Sequence, residues 1–203
     1  MQKTKIEQFY AELRSTGSYS TPPERRRAKR VRPSAWNTFR YTLGITKVFP
    51  YCAVTEPFGL LTTEKWAGAC FSSVTTAEKL GLSVIIEGFS ARQKHDGPVV
   101  YLCNHMSTTE TILLMPVLLA FGPFSYVAKA SLAHLPFLTK AAEHMRMVPV
   151  GRKSPREDLM TVLNVGTERI KGGDSFLIFA PSSSNLHQVA KHGPGINRRQ
   201  LIL

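Results

Sequence analysis

Apolar positions along the chain follow two different periods, and the change falls near residue 82. Before it they recur at helical spacing, as in the short stripe Ile6, Phe9, Tyr10 and Leu13, which predicts one amphipathic helix. After it, compact apolar runs alternate with longer helix-patterned stretches; the runs are LSVIIEG, PVVYLCN, FSYVAKA, RMVPVG and SFLIFAP. This alternation predicts an α/β sheet covered by helices.

The long helix before the last apolar run has the clearest start and stop signals. Ser154 is suited to the N-cap, Pro155 to the first helical position, and Glu157 to the capping-box position. Gly172 and Gly173 follow the helical pattern and predict its end. The sequence therefore predicts a helix between the fourth and fifth apolar runs.

Residues 36–82 are apolar, rich in Thr and aromatic, and they predict a helical pair on either side of Pro50 and Pro57. Aromatic rings beside a basic stretch are typical of a membrane interface. Packing of the same rings on the main core is the alternative, and both stay open. We divide the chain into an amphipathic helix with a polybasic tail (1–35), a helical membrane-interface segment (36–82), and an α/β domain (83–203). Whether that domain is complete at its C-terminus stays open.

The net charge of +12 is concentrated near the N-terminus. Residues 1–40 hold ten Lys or Arg against three Asp or Glu, and the run ERRRAKRVR can lie on an anionic membrane or stay solvated. The three cysteines form no CxxC pair and fit a reducing compartment. The N-terminus lacks a signal-peptide pattern, and no apolar run reaches the roughly 18 residues of a membrane span.

The segment NHMSTTE, directly after the apolar run PVVYLC, is the best candidate for chemistry. A strand ending there would place His105 at the carboxyl edge of the sheet, with Glu110 in the first turn of the next helix, facing the histidine. A carboxylate beside a histidine fixes its tautomer and stabilises the imidazolium, as a general base requires. Spacing alone leaves open that His105 is an ordinary packed residue.

A second candidate follows the strand RMVPV. Arg152 and Lys153 come just before the helix N-terminus at Ser154, where free N–H groups and the helix dipole favour an anion such as phosphate. A solvated basic helix start is the alternative reading of the same residues.

Four blocks together resemble the glycerolipid acyltransferases typified by 1-acylglycerol-3-phosphate acyltransferase. They occur in the family's order between about residues 82 and 181, and they read PVVYLCNHMSTTE, VAKASLAHLPFL, MRMVPVGRK and GGDSFLIFAP. The resemblance implies a mixed sheet with helices on both faces, preceded by an N-terminal helical segment that associates with the cytoplasmic face of a membrane.

The resemblance also implies an activity. A fatty acyl group would pass from acyl-CoA or acyl carrier protein to the hydroxyl of a lysophospholipid such as 1-acylglycerol-3-phosphate, with no further cofactor and no covalent acyl-enzyme. In this scheme His105 deprotonates the hydroxyl and Glu110 orients His105. Arg152 helps to hold the acceptor phosphate, and Lys129 belongs to the block flanking the cleft.

The chain departs from the family pattern at three places. Glu110 stands where aspartate is usual. The block FPEGTR is replaced by FAPSSSN, in which Ser182 and Ser183 could substitute hydroxyls for the usual acceptor-binding residues. The chain also reaches Leu203 before the family's next strand.

The altered FPEGTR block motivates an alternative function, a weakly active or inactive relative that binds lipid or an anionic membrane. The net charge raises a third possibility, nucleic-acid binding. No RNA- or DNA-recognition motif accompanies the charge, so nucleic acid is not expected as a partner.

Overall fold

The computed structural model describes residues 4–25, 34–105, 108–133, 141–152 and 154–180. The helices of these ranges are α1 (Lys5–Thr16), α2 (Ala35–Thr46), α3 (Val48–Thr55), α4 (Thr63–Lys79), α5 (Ser90–Gln93), α6 (Thr108–Leu119), α7 (Ala130–Ala133), α8 (Ala141–His144) and α9 (Pro155–Lys171). The strands are β1 (Tyr19–Ser20), β2 (Ile85–Ile86), β3 (Val100–Asn104), β4 (Phe124–Lys129), β5 (Met147–Val150) and β6 (Ser175–Ala180).

Four of the strands form one sheet in the order β3-β6-β4-β5, and every neighbouring pair is parallel. The α/β class is thus confirmed, but the expectation of a mixed sheet is wrong for the described strands. The physical reason lies in the connections: each passes through helix, so the chain returns to the same edge before the next strand begins. The carboxyl ends of all four strands consequently meet along one edge.

Alternating side chains of the sheet contact helices on both faces, as expected. Leu177 in β6 is fully buried in a cluster with Trp66 of α4 and Leu118 of α6. The neighbouring residue, Phe176, lies on the other face, where a Cβ at Gly166 of α9 would come within 3.3 Å of its ring. Because side chains alternate along a strand, α4 and α6 cover one face and α9 the other.

Helix α9 has the predicted N-cap and the predicted end. Ser154 is its N-cap and accepts the N–H of Glu157, and Pro155 is the first helical residue. The Glu157 side chain makes no hydrogen bond with a described residue, so the reciprocal half of the predicted capping box is not formed there. The helix ends at Gly172, and Gly173 follows in the left-handed region with φ 90°. The helix thus returns the chain to the amino edge of the sheet, where β6 starts.

The amphipathic stripe near the N-terminus forms α1, which a Thr4–Glu7 capping box begins. Its buried residues Phe9 and Leu13 pack in a second cluster with Phe71 of α4 and Val117 of α6. The apolar stripe of α1 therefore packs against the helices that cover the sheet. The domain boundaries drawn at residues 35 and 82 remain predictions.

Between residues 36 and 82 the structure has three helices, α2, α3 and α4, rather than the predicted pair. Pro50 lies in the first turn of α3, where its missing N–H costs no helical hydrogen bond. Packing on the core holds for one of the two tryptophans: Trp66 is 1% exposed, whereas Trp36 on α2 is 65% exposed. The membrane-interface interpretation stays a prediction.

The first predicted strand, LSVIIEG, contributes only β2, which pairs antiparallel with β1 outside the main sheet. Gly81 and Gly88 flank it with φ values of 79° and 94°, so the chain turns away on both sides. Among the helices the structure describes, none combines the length and apolarity needed to cross a bilayer.

Candidate active site

Strand β3 delivers His105 to the carboxyl edge of the sheet. Its last residue, Asn104, pairs with Ala180 of β6, and the His105 N–H then donates to the Ala180 carbonyl oxygen at 3.1 Å. The ladder therefore extends to the histidine and fixes its backbone. In an open α/β sheet this edge is where ligands bind.

Helix α6 places Glu110 against the histidine, as the sequence predicts. The distance between His105 Nδ1 and Glu110 Oε1 is 2.9 Å, and the two side chains are 45% and 29% exposed. An ionised Glu110 accepts a hydrogen bond from Nδ1–H, so the neutral imidazole carries its lone pair on Nε2. Glu110 also lies in the first turn of α6, where the helix dipole favours a negative charge.

The second ring nitrogen of His105, Nε2, has no hydrogen-bond partner among the described residues, and nearly half of the side chain is exposed. A partially exposed imidazole that is oriented through Nδ1 and open at Nε2 can remove a proton from a bound hydroxyl.

Phe179 is a component of the site that sequence reasoning missed. Its ring centroid lies 5.2 Å from that of His105, at an interplanar angle of 43°. Phe179 belongs to β6, which pairs with β3. It lies two residues after Leu177, so the two-residue period of a strand would have placed both side chains on the same face of the sheet. Together with Glu110, it restricts how the imidazole can turn.

Cys103, two residues before the histidine, is buried. Burial, followed by the nearby Glu110 charge, raises the pKa of its thiol to about 11. A thiol with such a pKa is almost entirely protonated near neutral pH and is a poor nucleophile. The imidazole is therefore the better candidate for the reactive group at this strand end.

Lys129 and Arg152 lie further along the same edge. Lys129 is the last residue of β4 and pairs with Val150 of β5, and Arg152 follows two residues later. Within the described ranges neither side chain forms an ion pair. Two cationic groups at one sheet edge are suited to an anionic ligand.

The sheet order sets the separation between Arg152 and His105. Strands β6 and β4 lie between β3 and β5. Three spacings of about 4.8 Å each separate the outer strands by roughly 14 Å. A ligand that contacts both residues must therefore extend along the edge, across β6 and β4.

An unusual turn carries Arg152. Its φ is 58°, a left-handed conformation that costs a residue with a Cβ about 1–2 kcal/mol. Asp158 in the first turns of α9 holds this turn: Oδ1 accepts the Gly151 N–H at 2.9 Å, and Oδ2 accepts the Arg152 N–H at 2.8 Å. Hydrogen bonds to a charged group contribute about 1.5–3 kcal/mol each, less at an exposed site, enough to offset the strain.

Three predicted substrate-binding residues lie outside the described part of the chain: Lys153, Ser182 and Ser183. Their assignment stays a prediction. Among the described residues, no group of three or more His, Cys, Asp or Glu is placed to hold a metal ion.

A cavity of about 300 Å³ lies near the opposite end of α6 and is separate from this site. Arg14, Arg92 and Phe121 are among its lining residues. Arg14 Nε donates to the Ala120 carbonyl, and Arg92 donates to the Phe121 carbonyl at 3.2 Å. Because α6 has 12 residues at about 1.5 Å each, roughly 18 Å separate its two ends. The two arginines there bind the carbonyls of the two residues that follow α6, a structural role at the C-terminal end of the helix.

A parallel α/β sheet carries a histidine oriented by a carboxylate on its carboxyl edge, together with cations that form no ion pair among the described residues. Comparison with known proteins identifies the protein family. The model of the Acyltransferase family matches residues 83–193, which is more than half of the chain. The chain belongs to the acyltransferase family, as the glycerolipid acyltransferase blocks predicted.

One curated relative refines the comparison. Over 82 residues the chain is 34% identical to a 1-acyl-sn-glycerol-3-phosphate acyltransferase from Pseudomonas aeruginosa. The match covers 40% of this chain and 31% of the relative, so the chain spans about a third of the relative's length. No solved structure matches the chain.

Proposed function

We propose that this acyltransferase moves a fatty acyl group from a thioester, acyl-CoA or acyl carrier protein, to the hydroxyl of a lysophospholipid such as 1-acylglycerol-3-phosphate. The observation that carries the proposal is the 2.9 Å hydrogen bond between His105 Nδ1 and Glu110, which leaves Nε2 open at the carboxyl edge. The name of the P. aeruginosa relative supports the choice of acceptor.

In the proposed mechanism His105 is the general base. Nε2 takes the proton of the acceptor hydroxyl while the oxygen attacks the thioester carbonyl carbon. The C–S bond then breaks, the new ester bond remains, and the leaving thiolate takes the proton back from the imidazolium. Glu110 stabilises the imidazolium between these two transfers, which is the role of a carboxylate in such a pair.

The acceptor phosphate is held by cations along the edge. Arg152 is the first candidate because its guanidinium makes no ion pair with a described residue and can bind phosphate in a bidentate manner. Lys129 lies between His105 and Arg152 in strand order and adds a second positive charge. Lys153, Ser182 and Ser183 complete the proposed acceptor site.

A lipid acceptor calls for contact with a membrane, and α2 offers a suitable surface. Trp36, Phe39 and Leu43 are all more than half exposed, and the rings of Trp36 and Phe39 stack at 5.8 Å. The spacing i, i+3, i+7 puts the three on one helix face. We propose that this face and the basic residues 24–32 bind the cytoplasmic face of an anionic membrane.

The catalytic proposal is tested by supplying labelled acyl-CoA, or acyl carrier protein, with lysophosphatidate and following the product. His105→Ala and Glu110→Gln should each lower the transfer rate at least about 100-fold, the lower end of general-base contributions. A smaller loss in both variants would show that the roles are wrongly assigned.

The membrane proposal is tested by flotation with vesicles containing phosphatidylserine. Trp36→Ala combined with Phe39→Ala should weaken binding about tenfold or more, since two large apolar side chains leave the interface. Leu159→Ala combined with Leu163→Ala is the control, because both residues are more than half exposed but lie on α9. Equal weakening by the two double variants would contradict a specific role for α2.

The altered block FAPSSSN favours a second candidate, an inactive relative that binds lipid through the same surfaces. Its signature is vesicle binding by the full chain without transfer to any lysolipid from either donor. Detection of transfer that depends on His105 would exclude it.

A further inference from the structure

The turn that carries Arg152 depends on a residue of the following helix. Both oxygens of Asp158 are engaged by backbone N–H groups of the turn, at 2.9 Å from Gly151 and 2.8 Å from Arg152. Consecutive N–H groups of this kind form a small anion-binding concavity. Here the chain's own carboxylate fills it.

The left-handed backbone of Arg152 determines where its side chain leaves the chain. At φ 58° the Cβ projects in a direction that differs from the one it would have if β5 simply continued. A residue with a Cβ in this conformation costs about 1–2 kcal/mol, which contacts elsewhere must offset. The two hydrogen bonds from Asp158 supply the support.

Asp158 engages the backbone of Arg152 and leaves the guanidinium free. No described residue forms an ion pair with that guanidinium, although the Asp158 carboxylate accepts the backbone N–H of the same residue. Both oxygens of the carboxylate accept backbone N–H groups of the turn. The turn therefore presents a guanidinium that has no ion-pair partner among the described residues.

We propose that Asp158 is a positioning residue that holds Arg152 in the orientation required to bind the phosphate of the acceptor. This inference rests on the proposed function, specifically on the role of Arg152 in acceptor binding. It adds a residue that no acyltransferase block of the sequence includes and that acts through Arg152, without contact to substrate.

Glu157 provides a matched control. It lies next to Asp158 in the first turn of α9 and carries the same charge, but its side chain makes no hydrogen bond with a described residue. Asp158→Asn and Glu157→Gln therefore remove the same charge from the same end of the helix dipole. Only Asp158→Asn disturbs the turn, because its amide group offers one acceptor and places N–H donors against an N–H.

The test is a binding measurement by calorimetry, which does not depend on catalysis. The ligands are hexanoyl lysophosphatidate and hexanoylglycerol, which differ only in the phosphate. Asp158→Asn should raise the Kd for the phosphate ligand about tenfold, the loss expected for one charge-assisted contact, and should leave the Kd for hexanoylglycerol within about twofold. Glu157→Gln should leave both unchanged.

A double variant separates positioning from an independent effect. Arg152→Ala should raise the Kd for the phosphate ligand at least about tenfold, and adding Asp158→Asn should change it by less than about twofold, since the two residues act as one unit. The proposal would be overturned if the losses of Arg152→Ala and Asp158→Asn multiplied in the double variant, or if Glu157→Gln lost as much affinity as Asp158→Asn. An unchanged or lower Kd in Asp158→Asn would also overturn it.

The outcome is distinguishable from failure of the proposed reaction. His105→Ala should bind hexanoyl lysophosphatidate with a Kd close to that of the wild type. Loss of transfer with normal binding would therefore report on the role of His105 as the base and not on the role of Asp158. A wild-type chain that does not bind the phosphate ligand would overturn the role of Asp158 directly, whatever the transfer assay shows.

Discussion

The two ends of β5 carry the same residue type with opposite consequences. Arg146 precedes the strand and Arg152 follows it, and both have left-handed backbones, with φ values of 54° and 58°. Asp174 accepts hydrogen bonds from the guanidinium of Arg146, with 2.6 Å between Nη1 and Oδ2. Asp158 instead takes the backbone N–H of Arg152 and leaves its guanidinium unpaired among the described residues.

The carboxylates at the two edges of the sheet differ in the same way. The Asp174 side chain at the amino edge is 5% exposed and also accepts a hydrogen bond from the buried Ser125 hydroxyl at 3.0 Å. Glu110 at the carboxyl edge is 29% exposed, and Nε2 of its partner His105 has no hydrogen-bond partner among the described residues. The closed pair stabilises the fold, and the open pair is the one to which we assign the proposed proton transfer.

The largest expected effect concerns the closed pair. Asp174→Ala leaves the Arg146 guanidinium and the Ser125 hydroxyl without their partner, which should lower the free energy of unfolding by about 3 kcal/mol. The transfer rate per folded molecule should stay within about threefold of the wild type. Urea unfolding measures the first quantity, and initial rates at a temperature where the variant is folded measure the second.

The exposed pair Glu168 and Lys171 is the control for this prediction. Both side chains are at least 70% exposed, so Glu168→Gln should change the unfolding free energy by less than about 0.5 kcal/mol. An Asp174→Ala variant that unfolds like Glu168→Gln would remove the distinction between the two edges.

The next effect concerns the thiol beside the open pair. Because burial raises the pKa of Cys103 to about 11, the thiolate is about 0.1% of the total at pH 8, against about a quarter for an ordinary cysteine. Alkylation by iodoacetamide at pH 8 should be on the order of 100-fold slower than in the urea-unfolded chain, as peptide mass spectrometry can measure.

The sign of the pH dependence follows from the direction of that shift. The folded pKa lies above the unfolded value, so the neutral thiol favours the fold at low pH, and its contribution is lost as pH rises from about 9 through 11. Rapid alkylation at pH 8 in the folded state would show that Cys103 is not buried beneath the site.

The smallest effect concerns the length of the carboxylate side chain. Glu110→Asp removes one methylene and withdraws the carboxylate by about 1.5 Å from the 2.9 Å contact with His105. The transfer rate should fall about tenfold, because the weakened hydrogen bond orients the imidazole less well. Thermal unfolding should not change, and a rate equal to that of the wild type would mean that the contact is not required.

Features encoded within one short segment could be predicted from the sequence. His105 and Glu110 lie five residues apart across one strand end and the next helix start, so their contact required no knowledge of the rest of the fold. Helix α9 was equally local, since Ser154 and Gly172 mark its ends. The α/β class followed from the alternation of apolar runs.

Features that depend on strand order could not be predicted in this way. Arg152 lies across the sheet from His105 because β6, the last of the described strands in chain order, lies between β3 and β4. Asp174 meets Arg146 from 28 residues away, and no local pattern indicates such a pair. Phe179 contacts His105 for the same reason, through the pairing of β6 with β3.

The most direct test of the account compares one variant from each edge in the same transfer assay. Initial rates with acyl-CoA and lysophosphatidate would be measured for His105→Ala and Asp174→Ala at a temperature where both are folded. We predict that His105→Ala loses at least about 100-fold in rate, whereas Asp174→Ala stays within about threefold of the wild type per folded molecule. Retention of more than a tenth of the wild-type rate by His105→Ala, or equal losses in the two variants, would contradict the assignment of chemistry to the carboxyl edge.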